Sequence, residues 1–237
     1  MTLTEAHRMF KIYLDKLASE SYAEVSSLEI DIFLQNASDE FAKTRYGKNN
    51  VYRAGFEEIQ KRTDDLRTLV VTRFPELTEV PYEDNTYRIS TSTLFSDEEK
   101  QVSVDEVYWF YLKSRALVND INCGLKYKEC KQIQQDDLNK VLKDPFNKPT
   151  KDRVILYFES GDIFVKCAET NTIDNFKLTF LKQPARVNVD ITRGPIVEFD
   201  LPEHTHEEIV KMAVKDAIEV LESPRGNTYQ NNLNTIE

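Results

Sequence analysis

The sequence contains few of the residues that build covalent or metal-bound frameworks. Only three cysteines occur among its 237 residues, at Cys123, Cys130 and Cys167, and none has Cys-x-x-Cys spacing. An odd and widely spaced set predicts neither a disulfide framework nor a zinc site. It is typical of a protein made in the reducing cytoplasm of a cell.

Glycine-rich loops are also missing. Six glycines occur in the chain, and none forms the GxxxxGK[ST], GxGxxG or GxSxG pattern. The first two patterns cradle phosphates on backbone N–H groups, and the third presents a catalytic serine. We therefore predict no cofactor, no small-molecule substrate and no catalytic residues, and we do not expect an enzyme.

Long apolar runs are absent as well. No stretch approaches the roughly 20 apolar residues of a membrane-spanning helix. The first 17 residues, MTLTEAHRMFKIYLDKL, carry charges throughout and lack the apolar centre of a signal peptide. We expect a soluble protein that is not exported and has no membrane partner.

Acidic residues outnumber basic ones by 41 to 31, which gives a net charge of −10. An acidic protein does not wrap nucleic acid, because phosphate binding needs a basic face. It can line a channel through which DNA slides, since a repelling wall prevents sticking. Hydrophobic residues make up 40% of the chain, which indicates one or two folded domains.

Residues 1–74 have the pattern of three amphipathic helices. Thr2 with Glu5 and Ser26 with Glu29 have capping-box spacing, and Gly47 is a plausible end for the second helix. The third helix is predicted over 54–74 and ends before Pro75. Its apolar side carries Phe56, Ile59, Leu66 and Val70. Its other side pairs Glu57 with Lys61 and Glu58 with Arg62 at i,i+4.

Residues 75–200 are rich in β-branched and aromatic residues. The predicted strands are 86–94, 107–118, 154–158, 163–168, 176–181 and 196–199. Segment 107–118 is ambiguous, because Ser103 and Glu106 also fit a helix cap, but its Val, Tyr, Trp and Phe content favours a strand. Residues 159–162 fit a hairpin turn, and a short helix is predicted over 136–143.

The last predicted helix covers 201–222, with a third capping box at Thr205 and Glu208. Residues 223–237 are predicted to form a polar C-terminal arm, because Pro224 and Gly226 break the preceding helix. Its sizeable apolar residues, Tyr229, Leu233 and Ile236, are too few for a core, so we expect this extended arm to be disordered in a free subunit. Their spacings of four and three residues allow them to dock in a groove on a neighbouring subunit or ring. A terminus without a role is the alternative.

Four features suggest chemistry, and each has a simpler interpretation. His204, His206 and Glu207 can ligate a metal, but their spacing favours a solvated helix N-terminus. Asp64 and Asp65 diverge by about 100° on a helix, which favours a helix surface or an inter-subunit salt bridge over catalysis. Cys167 is predicted to be a buried structural thiol. The aromatic run at 108–111 lacks interleaved basic residues, which favours core and interface positions over base stacking.

Five segments, in the same order and over most of the chain, resemble the head-to-tail connector ring proteins of short-tailed crAss-like phages. They are EIDIFLQNASDEFAKTRYG at 29–47, GFEEIQKRTDDLRTLV at 55–70, CKQIQQDDLNKVLKDPFNKP at 130–149, FKLTFLKQPARV at 176–187 and LPEHTHEEIVKMAVKDAIEVLESPR at 201–225. The resemblance implies a virion structural protein, made in the bacterial host cytoplasm, that forms a dodecameric ring below the portal. Such rings extend the DNA channel and dock later tail parts, and the family has no catalytic residues.

Together these patterns predict an α+β protein. The helical region 1–74 and the C-terminal helix 201–222 are expected to pack together, with a mainly antiparallel β region at 75–200 inserted between them and the arm at 223–237 beyond. The proposed subunit contacts are Glu57, Glu58, Lys61, Arg62, Tyr229, Leu233 and Ile236. Partners are copies of the chain, the portal or adjacent ring proteins, and DNA only in transit. A non-virion assembly factor or interaction module is the alternative function.

Overall fold

The computed structural model describes residues 1–18, 25–47, 59–81, 83–91, 107–120 and 124–220. They belong to two compact units. The helical unit contains residues up to Leu69 and those from Gln183 onward, and the sheet unit is Val70–Lys182. The predicted α+β class is confirmed, because the β region is inserted between the two helical parts of the chain.

The described residues form five α-helices and eight strands. The helices are α1 (Leu3–Ala18), α2 (Ser27–Tyr46), α3 (Gln60–Leu66), α4 (Leu138–Lys143) and α5 (His206–Val220). The strands are β1 (Val70–Arg73), β2 (Thr78–Glu79), β3 (Thr86–Ile89), β4 (Tyr108–Asp120), β5 (Gly124–Gln132), β6 (Val154–Glu159), β7 (Asp162–Lys166) and β8 (Asn171–Lys182).

Two of the predicted capping boxes form. At α1 the Thr2 N–H donates to Glu5 Oε2 at 2.9 Å, and the Glu5 N–H donates to Thr2 Oγ1 at 3.3 Å. At α2 Ser26 and Glu29 make the same reciprocal bonds, at 2.8 and 3.3 Å. The Gly47 N–H closes α2 on the Lys43 carbonyl at 2.8 Å. These bonds satisfy N–H and C=O groups that helix ends otherwise leave open.

The core of the helical unit is formed by the apolar faces of its helices. Helix α5 packs against both α1 and α2. The fully buried side chains include Leu3, Phe10, Ile30, Leu34, Phe41, Leu66, Leu69, Ile209, Val210, Val214 and Ile218. Their i, i+3, i+4 spacing produces one apolar face per helix.

The third capping box is wrong. Residues Glu203–Thr205 form a 3-10 turn before α5, and the Thr205 hydroxyl and N–H both donate to the Pro202 carbonyl, at 2.8 and 3.0 Å. Glu208 instead contacts Arg45. The turn satisfies Thr205 locally, so its hydroxyl does not cap the helix.

The third helix is shorter than predicted. It covers Gln60–Leu66, and Val70–Arg73 is strand β1, which pairs antiparallel with β8. The apolar residues of this segment fit a helix, but Val70 and Val71 are β-branched and gain a partner in β8. Residues 54–58 of the predicted helix lie outside the described residues.

The strands form one sheet in the order β1-β8-β4-β5-β6-β7-β3-β2. Every pair is antiparallel except β5 with β6. The β6–β7 hairpin turns at Ser160 and Gly161, whose φ angles of 53° and 86° fit the tight turn predicted there. The ambiguous segment is strand β4, as predicted.

Several strand predictions differ from the structure. Strand β3 ends at Ile89 rather than at residue 94, β8 begins at Asn171 rather than at residue 176, and β2 was not predicted. Residues 196–199 form only an isolated bridge, between Asn188 and Val197. Strand β5 was not predicted, because its sequence GLKYKECKQ is mostly charged and its side chains are mostly exposed. Pairing with β4 and β6, rather than an apolar face, defines this strand.

The sheet curls so that strands distant in its order share one core. Strands β3 and β8 are five places apart, yet the Ile173 N–H donates to Tyr87 Oη at 3.4 Å. Tyr111 of β4 meets Phe158 of β6 edge to face at 5.6 Å. The enclosed cluster includes Ile89, Val118, Leu156, Val165, Phe176 and Phe180.

Candidate interaction surfaces

The helical unit buries an ionic network around Arg45. Arg45 Nε lies 3.2 Å from Asp65 Oδ2, and its terminal nitrogen donates to Glu208. The contact between Arg45 Nε and Asp65 Oδ2 is an ion pair without hydrogen-bond geometry, and neither of these two buried atoms takes part in a hydrogen bond within the described residues. His204 Nε2 approaches Asp65 Oδ1 at 2.8 Å. The network therefore joins α2, α3 and α5 through charge.

A second network is centred on Asp31 of α2, which is 4% exposed. Its carboxylate lies 2.7 Å from His7 Nε2 of α1 and accepts a hydrogen bond from Arg193 at 2.6 Å. It also accepts a long bond, 3.5 Å, from the Val189 N–H. Asp31 thus fixes the segment around Val189 against α1 and α2.

The residues whose sequence pattern suggested metal binding or catalysis have structural partners. His206 lies 2.9 Å from the Met1 carbonyl and 2.8 Å from the Leu201 carbonyl, so its ring contacts backbone on both sides. Asp64 accepts from Gln60, whereas Asp65 is buried, so the two carboxylates diverge as predicted. Within the described ranges no cluster of His, Cys, Asp and Glu has a geometry that can hold a metal ion.

Cys167 is buried, as predicted. Its thiol donates to the Asn171 carbonyl at 3.1 Å. Burial raises the pKa of Cys167 to about 11, and burial likewise raises the pKa of Cys130 to about 11. Both thiols are therefore protonated at neutral pH, which makes them poor nucleophiles.

The proposed subunit contacts fall into three groups. Lys61 is exposed on α3, and its side chain is open to a partner. Arg62 is 5% exposed, so it is not on the exposed charged face that the i,i+4 pattern predicted. Glu57, Glu58, Tyr229, Leu233 and Ile236 lie outside the described residues.

The sequence patterns did not predict a prominent surface of the sheet unit, the loop at residues 144–153, which we call the Phe146 loop. Phe146 is 82% exposed, the most exposed large hydrophobic side chain among the described residues. The Asp144 carboxylate accepts the Phe146 N–H at 2.9 Å, and the Asp144 carbonyl accepts the Lys148 N–H at 2.9 Å. The Arg153 guanidinium donates to the Phe146 carbonyl. The exposed ring is therefore carried by a well-bonded backbone.

The Asp144 carboxyl group is central to this loop. The hydrogen bond from the Phe146 N–H, followed by that from the Asn147 side chain, lowers the pKa of Asp144. Asp144 is therefore ionised at neutral pH and remains a strong acceptor. The sequence signal was an isolated Phe between Pro145 and Pro149, where no apolar neighbour supports a core position.

The second prominent surface is a recess of about 730 Å³ beside strands β2 and β3. We call it the acidic recess. Its lining includes Val80, Pro81 and the carboxylates of Glu79, Glu83, Asp84 and Glu169. In the described chain none of these four carboxylates forms an ion pair. The recess therefore combines apolar surface with unneutralised negative charge.

No helix in the described ranges is long and apolar enough to cross a membrane.

Two comparisons with known proteins show what this chain is similar to. The family model described as phage tail ring protein 3/4 matches residues 1–228. Among curated proteins, "Ring protein 3" of Bacteroides phage crAss001 is 25% identical over 207 residues. That alignment covers 86% of this chain and 81% of the relative. The family is one of structural phage proteins, and its match extends over both units. This chain belongs to the phage tail ring protein 3/4 family.

Proposed function

We propose that this chain forms a homo-oligomeric ring in the neck or tail of a short-tailed phage, where it connects the portal to the tail and extends the DNA channel. The observation that carries the proposal is the family match over residues 1–228. Twelve copies are expected, as in related short-tailed phages. The ring's neighbours are the portal or an adjacent ring protein, and DNA passes through it as cargo.

The charge of the chain supports passage of DNA without binding. A net charge of −10 gives no general affinity for phosphates. We expect the inner wall of the ring to be neutral to acidic so that the duplex slides. A continuous belt of lysine and arginine on that wall would contradict this part of the proposal.

The ring contacts include the residues proposed from sequence. Lys61 is exposed and available to a neighbouring subunit. Glu57, Glu58, Tyr229, Leu233 and Ile236 are retained as proposed contacts. Arg62 is only 5% exposed, so its role in a ring is to support α3 rather than to meet a partner directly.

Cryo-electron microscopy of the purified virion neck tests the proposal. The expected result is a ring of this chain coaxial with the portal and surrounding the DNA path. Native mass spectrometry with and without the portal measures whether the ring needs the portal as a template. Absence of the chain from purified virions would favour the alternative of a non-virion assembly factor.

A further inference from the structure

Phe146 has the properties of an interface anchor. Its ring is 82% exposed and leaves apolar surface in water, while hydrogen bonds hold the backbone that carries it. Rigid exposed aromatics are the side chains that contribute most to protein–protein contacts when a partner covers them. The bonds from Asp144 and Arg153 lower the entropy that the loop loses on binding.

The charge around the Phe146 ring is positive. Lys143, Lys148 and Lys151 lie within or next to the Phe146 loop, and none of them forms an ion pair within the described ranges. Nearby Lys128 is already paired with Asp152 at 3.0 Å. A chain with a net charge of −10 thus presents a local cluster of lysines without ion pairs beside the most exposed large hydrophobic side chain of the described residues.

The acidic recess has the complementary properties. Four acidic residues without ion pairs in the described chain line it, together with the apolar side chains of Val80 and Pro81. A recess of about 730 Å³ has room for a phenyl ring.

We propose that the Phe146 loop of one copy docks in the acidic recess of the next copy around the ring. The inference rests on the proposed ring function and names its subunit contact. Two different patches that complement each other make a head-to-tail contact, and such a contact closes into a ring when its rotation permits. Charge complementarity selects a second copy as the occupant, because the same unit carries both free lysines and free carboxylates.

Charge reversal on each side, followed by reversal on both, tests the proposal with the full-length chain. The loop variant is Lys148→Glu with Lys151→Glu, and the recess variant is Glu83→Lys with Asp84→Lys. The control is Arg8→Glu with Arg186→Glu, which changes net charge as much as the loop variant but at exposed positions of the helical unit. Native mass spectrometry measures oligomers of the chain alone and after co-expression with its neighbouring tail proteins.

Each single-sided variant is expected to reduce the oligomer population at least tenfold, while the control assembles like the wild type. The variant reversed on both sides is expected to recover assembly, because its acidic loop meets a basic recess. A purely structural role of the four residues gives no such recovery. Phe146→Ala is expected to weaken association by about 30-fold, the effect of losing a central aromatic anchor, with an unchanged melting temperature.

Several outcomes overturn the proposal. If the wild type forms rings and both single-sided variants assemble normally, the ring function stands but this contact is wrong. Failure of the doubly reversed variant to recover also rejects it. Recovery only as closed dimers rejects the head-to-tail arrangement. If the wild type forms no oligomer even with its tail partners, the ring function itself fails.

Discussion

The helical unit buries charge, whereas the sheet unit keeps it at the surface. Asp31, Arg45, Arg62 and Asp65 of the helical unit are each at most 5% exposed, while the most buried charged residue described in the sheet unit is Asp162, at 9%. A buried charge is stabilised only by its specific partners, so it fixes the geometry of the helices. A surface charge costs little to hold and remains available to another molecule. We therefore expect the buried charges of the helical unit to support the fold and the surface charges of the sheet unit to take part in association.

Removing the central cation of the helical unit is expected to have the largest effect. Arg45→Ala leaves the buried Asp65 carboxylate and the partly buried Glu208 without their cation. Breaking a buried ion pair on one side costs about 3–5 kcal/mol. Urea unfolding, with melting as a second readout, measures this loss.

Arg115→Ala in the sheet unit is the matched control. Arg115 Nη2 lies 3.3 Å from Glu129 Oε1, and both side chains are exposed, at 51% and 80%, so the expected loss is below about 1 kcal/mol. Equal losses for the two variants would contradict the contrast between the units.

Neighbouring cations on α3 sharpen the comparison within one helix. Lys61→Glu changes an exposed charge and is expected to shift stability by at most about 0.5 kcal/mol. Arg62→Glu places a reversed charge where the side chain is 5% exposed, so we expect a loss of roughly 2–4 kcal/mol. Thermal melting of the two single variants separates these effects. An equally small effect at both positions would mean that Arg62 is exposed in solution.

The helical unit and strand β1 show where sequence patterns predict this fold and where they do not. The Thr2–Glu5 and Ser26–Glu29 boxes were predicted because all of their bonds are made within four residues. The β1 segment was assigned to a helix because its true partner, β8, is more than 100 residues away. Arg62 was placed at the surface because i,i+4 spacing shows which residues share a face but not what covers that face.

The Phe146 loop and the acidic recess could not be predicted for the same reason, because sequence patterns do not show which side chains are covered or brought together. Phe146 is one of 13 phenylalanines in the chain, and its residue type alone predicts burial. The acidic recess combines residues near 80 with Glu169, which the pairing of β3 with β7 brings together. Family membership, by contrast, was predictable from the order of several segments, because it depends on sequence similarity rather than on contacts.

Asp216 on α5 tests the cost of charge in the helical unit when no cation fully compensates it. Burial, followed by the nearby Glu40 carboxylate, raises the pKa of Asp216 to about 6. The ionised form is thus disfavoured in the fold, and Asp216→Asn is expected to stabilise the protein above pH 6. Half-exposure allows solvent to screen the charge, so we expect about 1 kcal/mol, or about 2–4 °C in Tm.

The stability difference between the wild type and Asp216→Asn is expected to depend on pH. Because the pKa of Asp216 is higher in the fold than in the unfolded chain, its penalty is complete above about pH 6. The penalty decreases as the pH falls from there toward the ordinary value of 3.8, where both states are protonated. Wild type and variant should therefore melt at the same temperature near pH 4. A stability difference that persists at that pH would assign the effect to packing.

Truncation after Glu222 is expected to have the smallest effect on stability. Helix α5 ends at Val220, so removing residues 223–237 removes no helix or strand of the described chain. Its melting temperature should change by about 1 °C or less, as for surface changes in general. Assembly should weaken if Tyr229, Leu233 and Ile236 dock on a neighbouring copy. The full-length triple variant with serine at these three positions separates loss of contacts from loss of length. If it assembles normally while the truncated chain does not, the arm acts through its backbone or polar residues. If both assemble into stable rings, the arm is dispensable, and contacts elsewhere on the subunit are sufficient for ring formation.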